Sequence, residues 1–257
     1  MTAQTDFSGR HAVVTGGATG IGAAIADRLA AAGARVTVMG RTWERLRDKA
    51  GSLPGAQAIV ADVTDEASVR QAFDSARENF GPVSILINNA GAAPSTAFTK
   101  TTLEFWRSAL DVNLTGVFLC SRAAVPDMIE AGSGRIVNIA SIAGLQGFAY
   151  VTAYCAAKHG AVGLTRAMAM EFATRGITVN AVCPGFTETD IVTKAIDGIV
   201  AKTGRTPEQT RAELTKHNPQ GRLIEVDEVA SLTLWLCSHD ARSVTGQALA
   251  IAGGEVM

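Results

Sequence analysis

The sequence predicts an α/β fold: a doubly wound parallel sheet of about seven strands with helices on both faces. Three observations carry that prediction. Short apolar runs alternate with longer segments of helical period almost to the end of the chain. The runs lack polar alternation, as strands buried on both faces of a parallel sheet do. The 257 residues are 47% hydrophobic and 18% charged, enough to build one sizeable core.

The first strand covers 11–15 and runs into Thr15-Gly16-Gly17-Ala18-Thr19-Gly20-Ile21-Gly22, where a helix over 21–32 begins; Gly33 ends it. A strand at 35–39, a helix at 42–50 and a strand at 57–61 follow. Thr64 or Asp65 caps a helix over 65–80 that Gly81 terminates. The strand at 85–88 leads into one long helix, 102–130. Next come a strand at 135–140, a helix over 153–175 closed by Gly176, and a strand at 178–182. A helix at 226–238 and a strand at 248–251 complete the alternation. Repeated β-α-β order implies right-handed crossovers. Only 185–222 breaks the pattern. It carries Gly185, Gly198, Gly204, Pro207 and Pro219 and reads as an irregular, mobile flap over a ligand. With no linker and no internal repeat, 1–257 is expected to form a single domain.

Net charge is −1, from 23 basic and 24 acidic residues without blocks, which argues against a nucleic-acid or membrane-surface protein. No apolar stretch reaches the roughly 18 residues of a membrane span. Met1 to Gly9 is polar and contains Asp6, unlike a secretory signal. Cys120, Cys155, Cys183 and Cys237 show no C-x-x-C spacing and read as reduced core thiols of a cytoplasmic protein. The four histidines lack ligand spacing, and no metal site is expected.

The turn after the first strand is rich in glycine, which lets backbone approach a pyrophosphate at a helix N-terminus. Its Gly16, Gly20, Gly22 spacing departs from the common G-x-G-x-x-G pattern. At the end of the second strand, where an acid would bind the ribose of NAD, stand Gly40 and Arg41. A guanidinium there can pair with a 2′-phosphate, favouring NADP(H); if Arg41 only caps the strand edge or stacks on adenine, NAD(H) remains possible. Asp62 and Val63 are placed to meet the adenine, with Asp62 alternatively a helix cap. Asn88 and Asn89 can fasten adjacent strands, while Ala90 and Gly91 leave room for a cofactor. Tyr154 and Lys158 lie four residues apart on one helix face. A cation near a phenol favours phenolate and brings it into the range of proton transfer.

Together these residues resemble the short-chain dehydrogenase/reductase family. The matching segments are TGGATGIG at 15–22, Asp62-Val63, NNAG at 88–91, Asn113 in VNLTG, Ser141, Tyr154 with Lys158, and Pro184-Gly185. The resemblance spans about residues 8 to 254 and implies a Rossmann-type sheet and a nicotinamide-dependent oxidoreductase. It makes Tyr154 the proton donor or acceptor and Ser141 the partner of the substrate oxygen. Lys158 would hold the nicotinamide ribose, and Asn113 a water that links Lys158 to solvent. Gly16, Thr19, Gly20, Ile21, Gly22, Asn89, Ala90, Gly91, Pro184, Gly185 and Thr187 or Thr189 would contact the cofactor. GRIVNIAS at 134–141 and GITVNAVCPGFTET at 176–189 look most like ketoreductases of acyl thioesters. A CoA or carrier-protein thioester is therefore the favoured substrate, with a small or cyclic secondary alcohol or ketone as runner-up. A nucleotide-sensing protein without turnover is a third reading. Ala93, Gln146, Phe148, Tyr150 and Val151 are expected to line the substrate pocket. The family also implies a homodimer or homotetramer packed through helices 102–130 and 153–175.

Overall fold

In the computed structural model, which describes residues 6–256 apart from the side chains at 191, 195 and 202, seven strands lie parallel in one sheet. They are β1 (His11–Thr15), β2 (Arg35–Gly40), β3 (Ala56–Val60), β4 (Ile85–Asn88), β5 (Gly134–Ile139), β6 (Ile177–Pro184) and β7 (Ala248–Ile251). Their order is β3-β2-β1-β4-β5-β6-β7. Val14 of β1 pairs with Val38 on one side and Ile87 on the other. The winding reverses between β1 and β4, which opens a crevice beyond the C-terminal ends of the strands.

Helices cover both faces. On one side, Ile25 and Leu29 of α1 (Gly20–Ala31), Leu46 of α2 (Trp43–Gly51) and Val229 and Leu236 of the last helix pack with Val14, Val36 and Ile87. On the other, Val69 and Phe73 of α3 (Glu66–Phe80) join Leu86, Ile136 and Val179. Leu119 and Met128 of α5 (Gly116–Glu130) and Met168 of α6 (Thr152–Phe172) complete that layer. Each such side chain contributes roughly 1.5–3 kcal/mol by leaving water. β1, β4, β5 and β6 are buried throughout, as their unbroken apolar runs predict. The edges differ: Val60 of β3 is 52% exposed, because an edge strand is flanked on one side only.

Two expectations are corrected. The long helix at 102–130 is α4 (Leu103–Leu110) and α5 joined by a π-helical turn, Asp111–Thr115, where Gly116 N donates to Asp111 O. The segment 185–222 is not irregular: it holds α7 (Asp190–Thr203) and α8 (Pro207–Thr215), with α9 (Val226–Cys237) following. Thr189 caps α7 and Gly204 ends it at φ +69°. Thr206 and Gln209 form a capping box on α8, with Pro207 in its first turn. The glycine and proline that read as breakers are the stop of one helix and the start of the next.

Buried polar groups lock the sheet. Asn88 Nδ2 donates to Asn138 Oδ1 at 2.9 Å and Ser121 Oγ at 3.0 Å, and Asn138 Nδ2 donates to Thr165 Oγ1 at 2.8 Å. β4, β5, α5 and α6 are thereby tied beneath the crevice. At the opposite end, His11 has Nδ1 2.8 Å from Gly81 O and Nε2 2.8 Å from Thr37 Oγ1. Gly81 O can only accept, so Nδ1 carries a proton. Burial lowers the His11 pKa below its ordinary 6.5. The unfolded chain therefore takes up a proton first, and stability falls as pH drops below 6.5. Urea midpoints measured from pH 7 to 5 should fall for the wild type and fall less steeply for His11→Gln.

Candidate active site

Gly16 (φ +63°) and Gly20 (φ +53°) take left-handed backbone conformations in the turn after β1. At Gly22 the constraint is space: a Cβ would lie 2.3 Å from Gly16 O and 2.4 Å from Asn89 Nδ2. Thr15 Oγ1 accepts from Asn89 N (3.0 Å) and Ala90 N (3.1 Å), while Asn89 Nδ2 donates to Thr15 O and Gly16 O, both at 3.1 Å. The turn is thus clamped to the end of β4. Thr19 makes no side-chain cap on α1, so the first N–H groups of that helix suit an anion. Arg41 is exposed just beyond β2. Asp62 is not a helix cap. Its carboxylate accepts from Thr64 N and Thr64 Oγ1, which with nearby Arg41 hold its pKa below the usual range, and Asp65 caps α3 instead. Val63 is buried against α5, where a Cβ on Gly116 would meet Val63 Cγ2 at 2.8 Å.

Ser141 follows β5 and caps the turn Ile142–Gly144, its Oγ accepting from Ala143 N at 3.1 Å. Its own hydroxyl hydrogen stays available to donate. Gly144 lets that turn lie on α6: a Cβ there would sit 2.7 Å from Lys158 O. On α6, Lys158 Nζ donates to Ile139 O at 2.8 Å and stands 5.7 Å from the centroid of the Tyr154 ring. Burial lowers the Lys158 pKa to about 8. Burial also raises the Tyr154 pKa, against the opposing pull of a hydrogen bond with Ser141. The ammonium lies by the ring, and burial outweighs the lowering of the phenol that a cation would bring.

Asn113 occupies the π turn. Its Nδ2 donates to Ala92 O (2.9 Å) and Ala109 O (3.0 Å), and its Oδ1 accepts from Ala92 N (3.3 Å). The amide is committed to backbone, and it fixes the segment after β4 against the site. A Cβ on Gly91 would stand 2.8 Å from Asn113 Oδ1 and 3.7 Å from Lys158 Nζ, so glycine keeps this corner open.

Ser141, Tyr154, Lys158, Asn113, Asn89 and Gly91 converge on one cavity of about 710 Å³. Ile21, Pro184, Gly185, Thr187 and Thr189 continue its wall, and Ala93, Phe148, Tyr150 and Val151 line it as expected. Gln146 does not; its N–H closes the turn onto Ile142 O. Gly16, Thr19, Gly22, Arg41, Asp62, Val63 and Ala90 lie outside the cavity lining, at the β1, β2, β3 and β4 ends. Tyr150 is 68% exposed at φ +68°, a strained conformation for tyrosine, and its carbonyl accepts from Thr96 N at 2.8 Å. The flap contributes Phe186, Val192, Lys194, Ile199 and Leu214, and Thr189 Cγ2 would lie 3.3 Å from a Cβ on Gly20. Sequence reasoning missed Gly144, the Ile139 carbonyl, Phe186 and Lys194. None carries a spacing signal; each matters through a contact distant in the chain.

Comparison with known proteins settles the family. The short chain dehydrogenase model matches residues 10–200. The chain belongs to that family. A cis-4-hydroxycyclohexanecarboxylate dehydrogenase of Sinomonas cyclohexanicum is 42% identical over 253 residues, 96% of this chain and 97% of its relative. A 3-oxoacyl-acyl-carrier-protein reductase of Salmonella typhimurium is 37% identical over 253 residues, 98% and 99% of the two chains. The solved actinorhodin polyketide ketoreductase with NADPH superposes with a TM-score of 0.93 at 38% identity, covering 99% of each chain. This short-chain dehydrogenase is an oxidoreductase of CH–OH and carbonyl groups.

The depressed Lys158 pKa has a measurable consequence. Between about 8 and 10.5 the unfolded chain holds a proton on this lysine that the folded chain has lost, so stability rises with pH through that window. Below it the full cost of burying the charge is present. The wild type should therefore gain stability relative to Lys158→Met as pH rises from 8, by on the order of 3 kcal/mol if the whole window is crossed. Paired urea titrations at several pH values measure it.

Proposed function

We propose that the chain reduces a 3-oxoacyl thioester, or oxidises the matching 3-hydroxyacyl thioester, with NADP(H) favoured over NAD(H). The observation that carries this reading is the convergence of Ser141, Tyr154 and Lys158 on a cavity whose remaining walls are mostly apolar. The glycine turn fits a dinucleotide: it is bare of side chains at Gly16, Gly20 and Gly22, and it adjoins the uncapped start of α1. Arg41 rather than a carboxylate follows β2, which suits a 2′-phosphate, and the relative of known structure carries NADPH.

The reaction follows from the side chains. When bound, the reduced nicotinamide supplies the hydride that adds to the carbonyl carbon. Ser141 donates a hydrogen bond to the carbonyl oxygen, where negative charge grows. Tyr154 gives that oxygen its phenolic proton; the raised pKa keeps the proton in place at neutral pH, ready for reduction. In the reverse direction Tyr154 must act as the base, and the Lys158 ammonium offsets the phenolate charge. Lys158 would hold the ribose side of the cofactor while anchored to Ile139 O. The Asn113 amide is taken by Ala92 and Ala109, so a water linking Lys158 to solvent would have to be held by other groups of the π turn. Pro184, Gly185 and Thr187 or Thr189, all on the cavity wall, would hold the nicotinamide end.

A second reading, a dehydrogenase of small cyclic alcohols, is favoured by the 42% identity to an enzyme named for such a substrate. We place the protein in the cytoplasm as a homodimer or homotetramer. The supporting observations are four free, buried cysteines and exposed Phe118 (43%) on α5 and Met170 (83%) on α6.

A panel of acyl thioesters and cyclic ketones, followed at the nicotinamide absorbance with both cofactors, tests the reading. Turnover on the best substrate should drop at least about a hundredfold in Tyr154→Phe, the scale of general acid catalysis. Full activity in that variant would remove Tyr154 from the chemistry. Arg41→Ala should lower kcat/KM for NADPH about tenfold and leave NADH nearly unchanged. An unaltered ratio would mean that the 2′-phosphate is held elsewhere.

A further inference from the structure

The cavity's charged lining is one-sided: Lys158 and Lys194, and no carboxylate among the described residues. Lys158 is anchored to Ile139 O, which leaves Lys194 on α7 without an assigned task. Of the other flap cations, Arg211 pairs with Glu188 at 2.8 Å and Lys216 with Glu213 at 3.8 Å, while Arg205, like Lys194, enters no ion pair among the described residues but lies outside the cavity lining. One turn on, Gly198 lies on the same helix face and also lines the cavity. Its φ is not left-handed, so the backbone does not demand glycine there. A Cβ would meet no described atom within 4 Å. Glycine is a poor choice in mid-helix, and here it leaves open room beside the ammonium.

We propose that Lys194 selects substrates that carry an oxyanion, a carboxylate or a phosphate, away from the reacting carbonyl, with Gly198 giving that group space. The proposal rests on the carbonyl-reductase reading above. Lys194 is itself exposed to the open cavity, whose lining also includes the apolar Phe186, Val192, Ile199 and Leu214; a substrate seated against them would shield a charged hydrogen bond from water. The contact is made equally in the ground and transition states, so it acts on KM and leaves kcat in place.

Two matched pairs test it: 4-oxocyclohexanecarboxylate against its carboxamide, and acetoacetyl-CoA against the acetoacetyl thioester of N-acetylcysteamine. Lys194→Met should raise KM about tenfold for the anionic member of at least one pair, with the neutral member within about twofold. Lys194→Arg should keep most of the discrimination, and Lys194→Glu should invert it. The affected pair tells a carboxylate from a phosphate. Equal effects on both members of both pairs, or no effect at all, would overturn the role of Lys194 and leave the carbonyl chemistry standing. A wild-type enzyme inert towards all four compounds with either cofactor would overturn both.

Discussion

The hydrogen bond from Lys158 Nζ to Ile139 O holds the site together. It joins the end of β5, from which Ser141 emerges, to the helix that carries Tyr154. A buried ammonium is costly unless it is bonded. Its pKa of about 8 records that cost, and the strand-end carbonyl offsets part of it. Gly144 permits the contact by letting the turn after Ser141 lie directly on the Lys158 backbone.

The second support is the buried amide chain below it. Asn88, Asn138 and Thr165 tie two strands and a helix through hydrogen bonds of 2.8 to 2.9 Å. Their directional bonds fix register as well as position, although Asn88 Oδ1 itself is buried without a partner among the described residues. They place β4 beside β5 such that Gly91 and Ser141 open onto the same cavity. The cofactor side is built by the same means: Thr15 and Asn89 staple the glycine turn to β4. The cofactor and catalytic sides of the cavity therefore share one floor at the reversal of the sheet, while α7 and α8 supply further walls.

Much of this was legible in the chain. Unbroken apolar runs gave the central strands because each is covered on both faces, and Gly33, Gly81 and Gly176 gave helix ends because those turns need positive φ. Legibility fails at 185–222, where Gly204 and Pro207 read as breaks in an irregular flap. Local rules treat stop and start signals as breaks unless the segments between them show a periodic apolar face, and α8 is too polar to show one clearly. The π turn at Asp111–Thr115 is hidden for another reason: Asn113 within it bonds to Ala92, a partner 21 residues away that no local pattern announces.

By itself the sequence determined the doubly wound sheet and the family, and it singled out Ser141, Tyr154 and Lys158 as candidates, because periodicity, turn chemistry and motif spacing are local properties. The tertiary structure decided what those groups feel. Burial sets the phenol high and the ammonium low, the reverse of what a simple phenol–cation pair would give. It also decided that Gln146 turns away from the cavity, and that Lys194 faces into it from a helix more than thirty residues beyond Lys158. Desolvation and convergence depend on which distant segments pack together, and no short stretch of sequence encodes them.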